Sequence, residues 1–222
     1  MSHRAQSTPC RWLRAISIVG VFCAAAHAQA ATFEVRVAKR DGQPLPGAVV
    51  TVERESAAPG PAPPVRAIMD QVNLAFAPDV LVIPVHSTIQ FPNSDAVGHQ
   101  VYSFSSARQF QLPLYRGKPY PPVQFDQPGV VTLGCNIHDN MVAYVIVTGA
   151  PFFGRTDAQG KWLAAEVPDG RYRVRVWHPL LNESREVEGL ADVSGGHATL
   201  EHKLSRSLRP APLGKRPHSW DY

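Results

Sequence analysis

The segment Gly134-Cys135-Asn136-Ile137-His138-Asp139-Asn140-Met141 gathers a thiol, an imidazole and a thioether within seven residues. It opens at the end of one β-type run, VVTLGC, and closes at the start of another, MVAYVIV. A soft sulfur donor beside imidazole selects copper over hard cations, and two histidines, one cysteine and a distant methionine make a trigonal electron-transfer site. One more histidine is then required. His99, in FPNSDAVGHQVYSF, stands 36 residues before Cys135 at the start of a strand. Cysteine at a strand end, with histidine three positions on and methionine six on, lets a tight loop fold three side chains toward one point. A ligand from a neighbouring strand completes the set and holds it rigid.

The elements around this segment are strands. Apolar residues make up 44% of the 222 positions and charged residues 18%, with 16 Gly and 21 Pro, a mix suited to a proline-punctuated β protein. VLVIPV, TIQF, HQVYSF and VQF precede the two runs already named, separated by Pro, Gly, Asn and Asp. No amphipathic helix of ordinary length interrupts them.

With these strands in order, residues 68–148 resemble the cupredoxins. Phe76-Ala77-Pro78, Val80 to Val85, Thr88 to Phe91, Asn93, Asp95 and His99-Gln100-Val101 follow the cupredoxin succession of strand, strand, loop and first histidine. The C-x-x-H-x-x-M loop is similar in length to that of amicyanin rather than plastocyanin. The whole chain is similar to bacterial secreted proteins of the methylamine-utilization or plastocyanin-like kind. The resemblance implies one type-1 copper ion, with His99, Cys135 and His138 as strong ligands and Met141 as the weak axial one. Two positions depart from the family. Gln100 stands where Asn commonly ties the ligand loops together, and Ile137 replaces a proline, so its N–H is free to donate to the Cys135 sulfur.

The remaining histidines after residue 30, His86, His178, His197, His202 and His218, have no sulfur neighbour at ligand spacing and read as surface or strand residues. Met69 and Asp70 read as part of an edge strand rather than a second cation site.

Before and after the copper segment the pattern changes. Phe33, Val35 and Val37 alternate with polar residues, as Tyr172, Val174 and Val176 alternate with Arg171, Arg173 and Arg175, whose side chains are expected to face water. Asp41, Gly42, Pro44, Leu45, Gly47 and Ala48, then Thr156, Asp157 and Gly160, then Pro168, Gly170 and Tyr172 resemble the two halves of a carboxypeptidase-regulatory or transthyretin-like β-sandwich. That resemblance implies a structural or binding module without catalysis. The expected fold is all-β: a Greek-key cupredoxin sandwich inserted in, or adjacent to, a second small sandwich. The expected boundaries are 1–30 for a leader, 31–55 and 151–204 for the split sandwich, 56–150 for the copper domain and 205–222 for a disordered tail. The Pro-rich spacer Ala58 to Pro64 marks one of them.

Arg4, Arg11 and Arg14 precede the apolar run Ala15 to Ala26, and small residues Ala26, Ala28 and Ala30 follow, which is the pattern of a secretory signal peptide cleaved after Ala28 or Ala30. A run of this length is too short to span a bilayer. Its removal takes the three arginines and lowers the formal charge from +4 to about +1, which removes the argument for nucleic acid as a partner. It also takes Cys10 and Cys23, leaving Cys135 without an internal disulfide partner in an oxidising compartment. A metal would occupy that thiol.

The functional expectation is a periplasmic carrier of single electrons between Cu(I) and Cu(II), not an enzyme, because a closed four-ligand site leaves no open position for substrate. The alternative is copper storage or delivery with the same ligands and no redox turnover. The expected partner is a c-type cytochrome or a dehydrogenase, docking near the His138 imidazole edge beside the acidic Asp139.

Overall fold

The computed structural model describes residues 30–56, 60–117, 119–181 and 187–210. The leader up to residue 29, part of the Pro-rich spacer, and the tail from 211 with His218 lie outside them. Among the described residues the regular elements are strands, with no helix. They run β1 (Ala30–Ala38), β2 (Val49–Arg54), β3 (Arg66–Ile68), β4 (Asp70–Val72), β5 (Ala75–Ala77) and β6 (Val80–Pro84). Then come β7 (Ser87–Gln90), β8 (His99–Ser105), β9 (Arg108–Tyr115), β10 (Val123–Phe125), β11 (Gly129–Gly134) and β12 (Val142–Thr148). The last five are β13 (Phe152–Arg155), β14 (Lys161–Pro168), β15 (Gly170–Trp177), β16 (Val187–Val193) and β17 (His197–Lys203). No helix here is long and apolar enough to cross a membrane.

Strands from both ends of the chain share two sheets, ordered β14-β1-β17 and β13-β2-β15-β16. Val49 to Val52 of β2 pair with Phe152 to Arg155 on one side and with β15 on the other. The two-residue alternation puts Phe33, Val35 and Val37 into one core with Val50, Val52, Tyr172, Val174 and Val176. A hydroxyl ties the two chain ends together. Thr156 Oγ1 accepts the Ala48 N–H at 2.9 Å and donates to Leu45 O at 2.7 Å. The Thr156 backbone joins Ala48 O and the Gly47 N–H on either side, each at 2.9 Å. Asp157 then caps the turn by accepting the Gln159 and Lys161 amides. Gly160 at its end has φ of +71°, and a Cβ there would lie 2.4 Å from Val37 O, so only glycine fits.

The strands between these ends build a second sandwich, the inner one in chain order, and the first is the outer one. Its five-stranded sheet is ordered β6-β12-β11-β8-β9, its opposing sheet β10-β7-β3, and the hairpin β4-β5 closes one side. Phe76, Ile89, Phe91, Phe125, Leu133 and Val145 are among the side chains that fill it. The two sandwiches meet where Val49 and Trp177 pack on Val80 and Ile146. Trp177 and Tyr144 cross with ring centroids 5.2 Å apart, and Arg155 Nη1 donates to Val80 O at 3.0 Å. Packing thus fixes one sandwich on the other over the β6-β12 side of the five-stranded sheet.

Several residues can be set against the expectation one by one. The arginines of β15 lie on the outward face as expected, the side chains of Arg171 and Arg173 well exposed, and they are also paired: Arg175 with Glu53 at 3.0 Å and Glu188 at 2.8 Å, Arg173 and Arg171 with Glu55. The reason is cross-strand register, which sets Glu53 of β2, Glu55 just beyond it and Glu188 of β16 beside them. Met69 is fully buried in the inner core, and Asp70 accepts the Ser94 hydroxyl at 2.6 Å, so neither faces a cation site. His86 is exposed and pairs with Asp126, and His197 and His202 lie on β17. His178 is buried just beyond β15, where its Nδ1 accepts the Leu180 N–H at 3.2 Å. After Leu204, which is buried, Leu208 packs on the outer core and the Arg209 N–H donates to Leu180 O at 2.8 Å.

Two expectations follow for stability. Thr156→Val keeps the shape but leaves the Ala48 N–H and Leu45 O without their buried partner, costing about 2–4 kcal/mol in urea unfolding, whereas Thr156→Ser stays within about 1 kcal/mol of wild type. Burial, aided by Arg155 and Lys39, pushes the His178 pKa down from 6.5 to about 4. The unfolded chain therefore binds this proton first, so the fold keeps its full stability above about pH 6.5 and loses it as pH falls toward 4. The loss is on the order of 3 kcal/mol, and His178→Asn, which retains an acceptor but cannot take the proton, flattens the thermal-stability profile in that window.

Candidate metal centre

Antiparallel pairing decides where the donors sit. β11 and β12 are neighbours with Gly134 opposite Val142, so residues 135–141 form the connection between them, with Cys135 first and Met141 last. The Met141 N–H donates to His138 O at 2.9 Å and closes the loop in a single turn around His138. On the other side of β11, Tyr102 of β8 stands opposite Gly134. The beginning of β8, and with it His99, therefore lies at the same end of the sheet. Gly134 permits this approach, since a Cβ there would come within 2.8 Å of the Tyr102 ring.

The side chains converge. His99 Nδ1 and His138 Nδ1 are 3.1 Å apart, Cys135 Sγ is 3.7 Å from His138 Nδ1, and one donor atom from each of the three lies within 4.8 Å of the others. His99 is fully buried, Cys135 and Met141 are buried in the inner core, and His138 is half-buried. Among the described residues this is the one group of three or more His, Cys, Asp or Glu whose donor atoms meet closely enough to hold a metal ion. The donor set is one sulfur and two imidazole nitrogens with no carboxylate, in apolar surroundings, which fits a soft or borderline ion and not Ca²⁺ or Mg²⁺.

The Ile137 amide makes no hydrogen bond to Cys135 Sγ; within the loop the thiol's polar neighbour is the His138 ring. The Ile137 side chain is exposed, as is Asp139. Gln100 follows His99 as a half-buried strand residue, and a different amide, that of Asn93, ties down the segment before His99. Asn93, nearly fully buried, donates to Val97 O and to Tyr115 O, both at 2.9 Å, and its Oδ1 accepts the Asp95 N–H. These bonds fasten the segment before His99 to the end of β9. Beneath them Gln71, with no exposed surface, donates to Tyr115 OH at 2.6 Å, and Tyr115 donates to Phe91 O. Burial pushes the Tyr115 phenol up to about 12, so it stays protonated.

Asp95 had no assigned role in the sequence, beyond its place in the strand order. Its Oδ2 lies 2.7 Å from His99 Nε2, and its two oxygens also accept the Asn73 and Leu74 amides at 2.6 and 2.9 Å. Burial raises its pKa, but the Leu74 amide, the His99 ring and the Asn73 amide outweigh that and hold the carboxyl below its ordinary value. An Asn-Ser-Asp cluster shortly before a histidine is the sequence signal of such a side-chain-capped turn.

No protein-family model and no curated protein matches the chain. Among solved structures it is similar to a purple cupredoxin from Nitrosopumilus maritimus, at 24% identity over 37% of this chain and 99% of that one, with a TM-score of 0.33. It is also similar to a Cu-containing nitrite reductase from Thermus scotoductus SA-01, at 26% identity, covering 44% of this chain and 25% of the enzyme, with a TM-score of 0.34. A reduced single-substitution variant of amicyanin matches at 20% identity over 45% of this chain and 98% of its own, with a TM-score of 0.35.

The geometry generates a binding test that does not depend on which ion is native. Co(II) is expected to bind at one ion per chain with a thiolate charge-transfer band in the near ultraviolet. Cys135→Ser should abolish the band and weaken binding by more than the roughly 10–100-fold that loss of an outer partner costs. Unchanged titration of the serine variant would place the ion elsewhere.

Proposed function

We propose that the chain is a periplasmic type-1 copper protein that carries single electrons, its ion held by His99 Nδ1, Cys135 Sγ and His138 Nδ1 with Met141 as the weak axial ligand. The observation that carries this reading is the convergence of one thiol and two imidazole nitrogens within 4.8 Å, beside a buried methionine, at the end of a β-sheet. A structural zinc site would call for four strong ligands, whereas three with a thioether suit copper.

Copper supplies the one-electron couple. The chain supplies donors whose positions are held by the β8, β11 and β12 ladder, so they shift little between oxidation states. It also excludes water: His99, Cys135 and Met141 are buried, and the half-buried His138 ring is the donor nearest solvent. Exposed Ile137 and Asp139 flank it, an apolar and acidic rim suited to a c-type cytochrome or dehydrogenase with a basic patch.

The leader pattern and the single remaining cysteine support export to the periplasm. Residues 31–55 and 151–204 are read as one transthyretin-like or carboxypeptidase-regulatory scaffold and 56–150 as the copper domain, a division supported by the two separate cores.

Absorption spectroscopy tests the reading. Oxidised, copper-loaded protein is expected to be intensely coloured through the Cys135 thiolate, Cys135→Ser colourless, and Met141→Leu still coloured with a raised reduction potential. Tight Cu(I) binding with no coloured Cu(II) form would favour storage or delivery instead.

A further inference from the structure

We propose that Asp95 is the positioning residue of the metal centre, and that the β4-β5 hairpin, which contributes no ligand, holds Asp95 in place through the backbone amides of its tip. The inference rests on the proposed metal site and concerns how the fold presents His99 to it.

A carboxylate only accepts hydrogen bonds, so the 2.7 Å contact between Asp95 Oδ2 and His99 Nε2 puts the ring proton on Nε2. A neutral imidazole carries one N–H. Nδ1 is then the lone-pair nitrogen, and Nδ1 is the atom that faces His138 Nδ1 at 3.1 Å and the Cys135 thiol. Asp95 therefore selects the tautomer that presents a donor atom to the site, and it fixes the ring's rotation in the same bond. No water can take over this task, because His99 has no exposed surface and the Asp95 side chain is only 12% exposed.

Asp95 is itself held from a distant part of the chain. Asn73 and Leu74, at the tip between β4 and β5, have φ of 54° and 58°, two consecutive left-handed residues. This conformation aims successive amides at one anion, and both reach Asp95, at 2.6 and 2.9 Å. Leucine seldom adopts a positive φ, so the turn keeps a residue that a relaxed hairpin would replace with glycine. The rest of the hairpin is zipped to the same segment. Asp70 accepts the Ser94 hydroxyl, the Ser94 N–H donates to Gln71 O, and the Gln71 N–H donates to Pro92 O. Residues 70–74 thus clamp residues 92–95 and, through one carboxylate, the ring of His99.

The test begins in the metal-free protein, so that it stands apart from the identity of the ion. Long-range ¹H–¹⁵N correlation on the ring nitrogens is expected to give His99 as the Nε2–H tautomer. Asp95→Asn is expected to mix the tautomers or shift the proton to Nδ1, because its amide cannot accept from the ring and both hairpin amides together. Its Co(II) affinity should fall 10–100-fold, with the thiolate band retained since Cys135 is untouched. Leu74→Pro, which removes one of the two hairpin amides, is expected to weaken Co(II) binding in the same direction with the thiolate band retained, and wild-type tautomer and affinity in it would overturn the role given to the hairpin. An Nδ1–H tautomer in the wild type would overturn the proposal even if Asp95→Asn failed to fold, as would wild-type tautomer and affinity in Asp95→Asn. If wild-type protein carried the Nε2–H tautomer but bound no Co(II) or copper, the metal site would fall while the positioning of His99 by Asp95 stood.

Discussion

The antiparallel ladder of β8, β11 and β12 is the constraint on which the rest depends. It places the start of β8, the end of β11 and the start of β12 at one end of a sheet, and those three chain positions carry His99, Cys135 and Met141. The seven-residue connection between β11 and β12 then needs only one turn, closed by the Met141 amide on His138 O, to bring the second imidazole within 3.7 Å of the thiol. Donor positions set by backbone pairing do not depend on flexible side-chain choices. The one-electron role proposed for the site would gain from that stiffness, since the donors would rearrange little.

Around this end of the sheet the buried side chains of Asn93, Tyr115 and Asp95 have named partners, and of Gln71 only the Oε1 atom has none. Asn93 bonds three backbone groups, Tyr115 and Gln71 link Phe91, Pro92 and β9, and Asp95 gathers two amides and a ring N–H. Such groups would each cost about 1–3 kcal/mol if left unpaired. Satisfied, they lock the loop before His99 far more specifically than apolar packing would. The outer sandwich acts at a distance. Through Val49 and Trp177 it covers the β6-β12 side of the same sheet, leaving the ligand loop at the sheet's end clear.

Much of this was legible from side-chain types. The meeting of Cys135 and His138 was signalled by their spacing, and that of His99 with them by its place at the start of a β run. The alternations Phe33-Val35-Val37 and Tyr172-Val174-Val176 marked core faces, and Thr156, Asp157 and Gly160 marked the turn that joins the chain ends. What periodicity could not reach were contacts between segments. β9 escaped notice because Pro113 interrupts it and its apolar residues are diluted by glutamines; at the sheet edge, a missing N–H is tolerated. The pairing of Arg175 with Glu53 and Glu188 depends on register across three strands. His178 looked like any strand-end histidine until the turn after β15 folded over it. Asp95 meets Asn73 and Leu74 across more than twenty residues, through an amide geometry with no local signature beyond the turn itself.

The central claim is that one ion is held by His99, Cys135 and His138 together. X-ray absorption at the copper edge of the loaded protein tests it most directly, because it counts the ligand atoms themselves. The expected result is one short copper–sulfur bond and two imidazole nitrogens, nearly unchanged between the oxidised and reduced protein. A first shell of nitrogen and oxygen alone, or one that loses an imidazole on reduction, would contradict it.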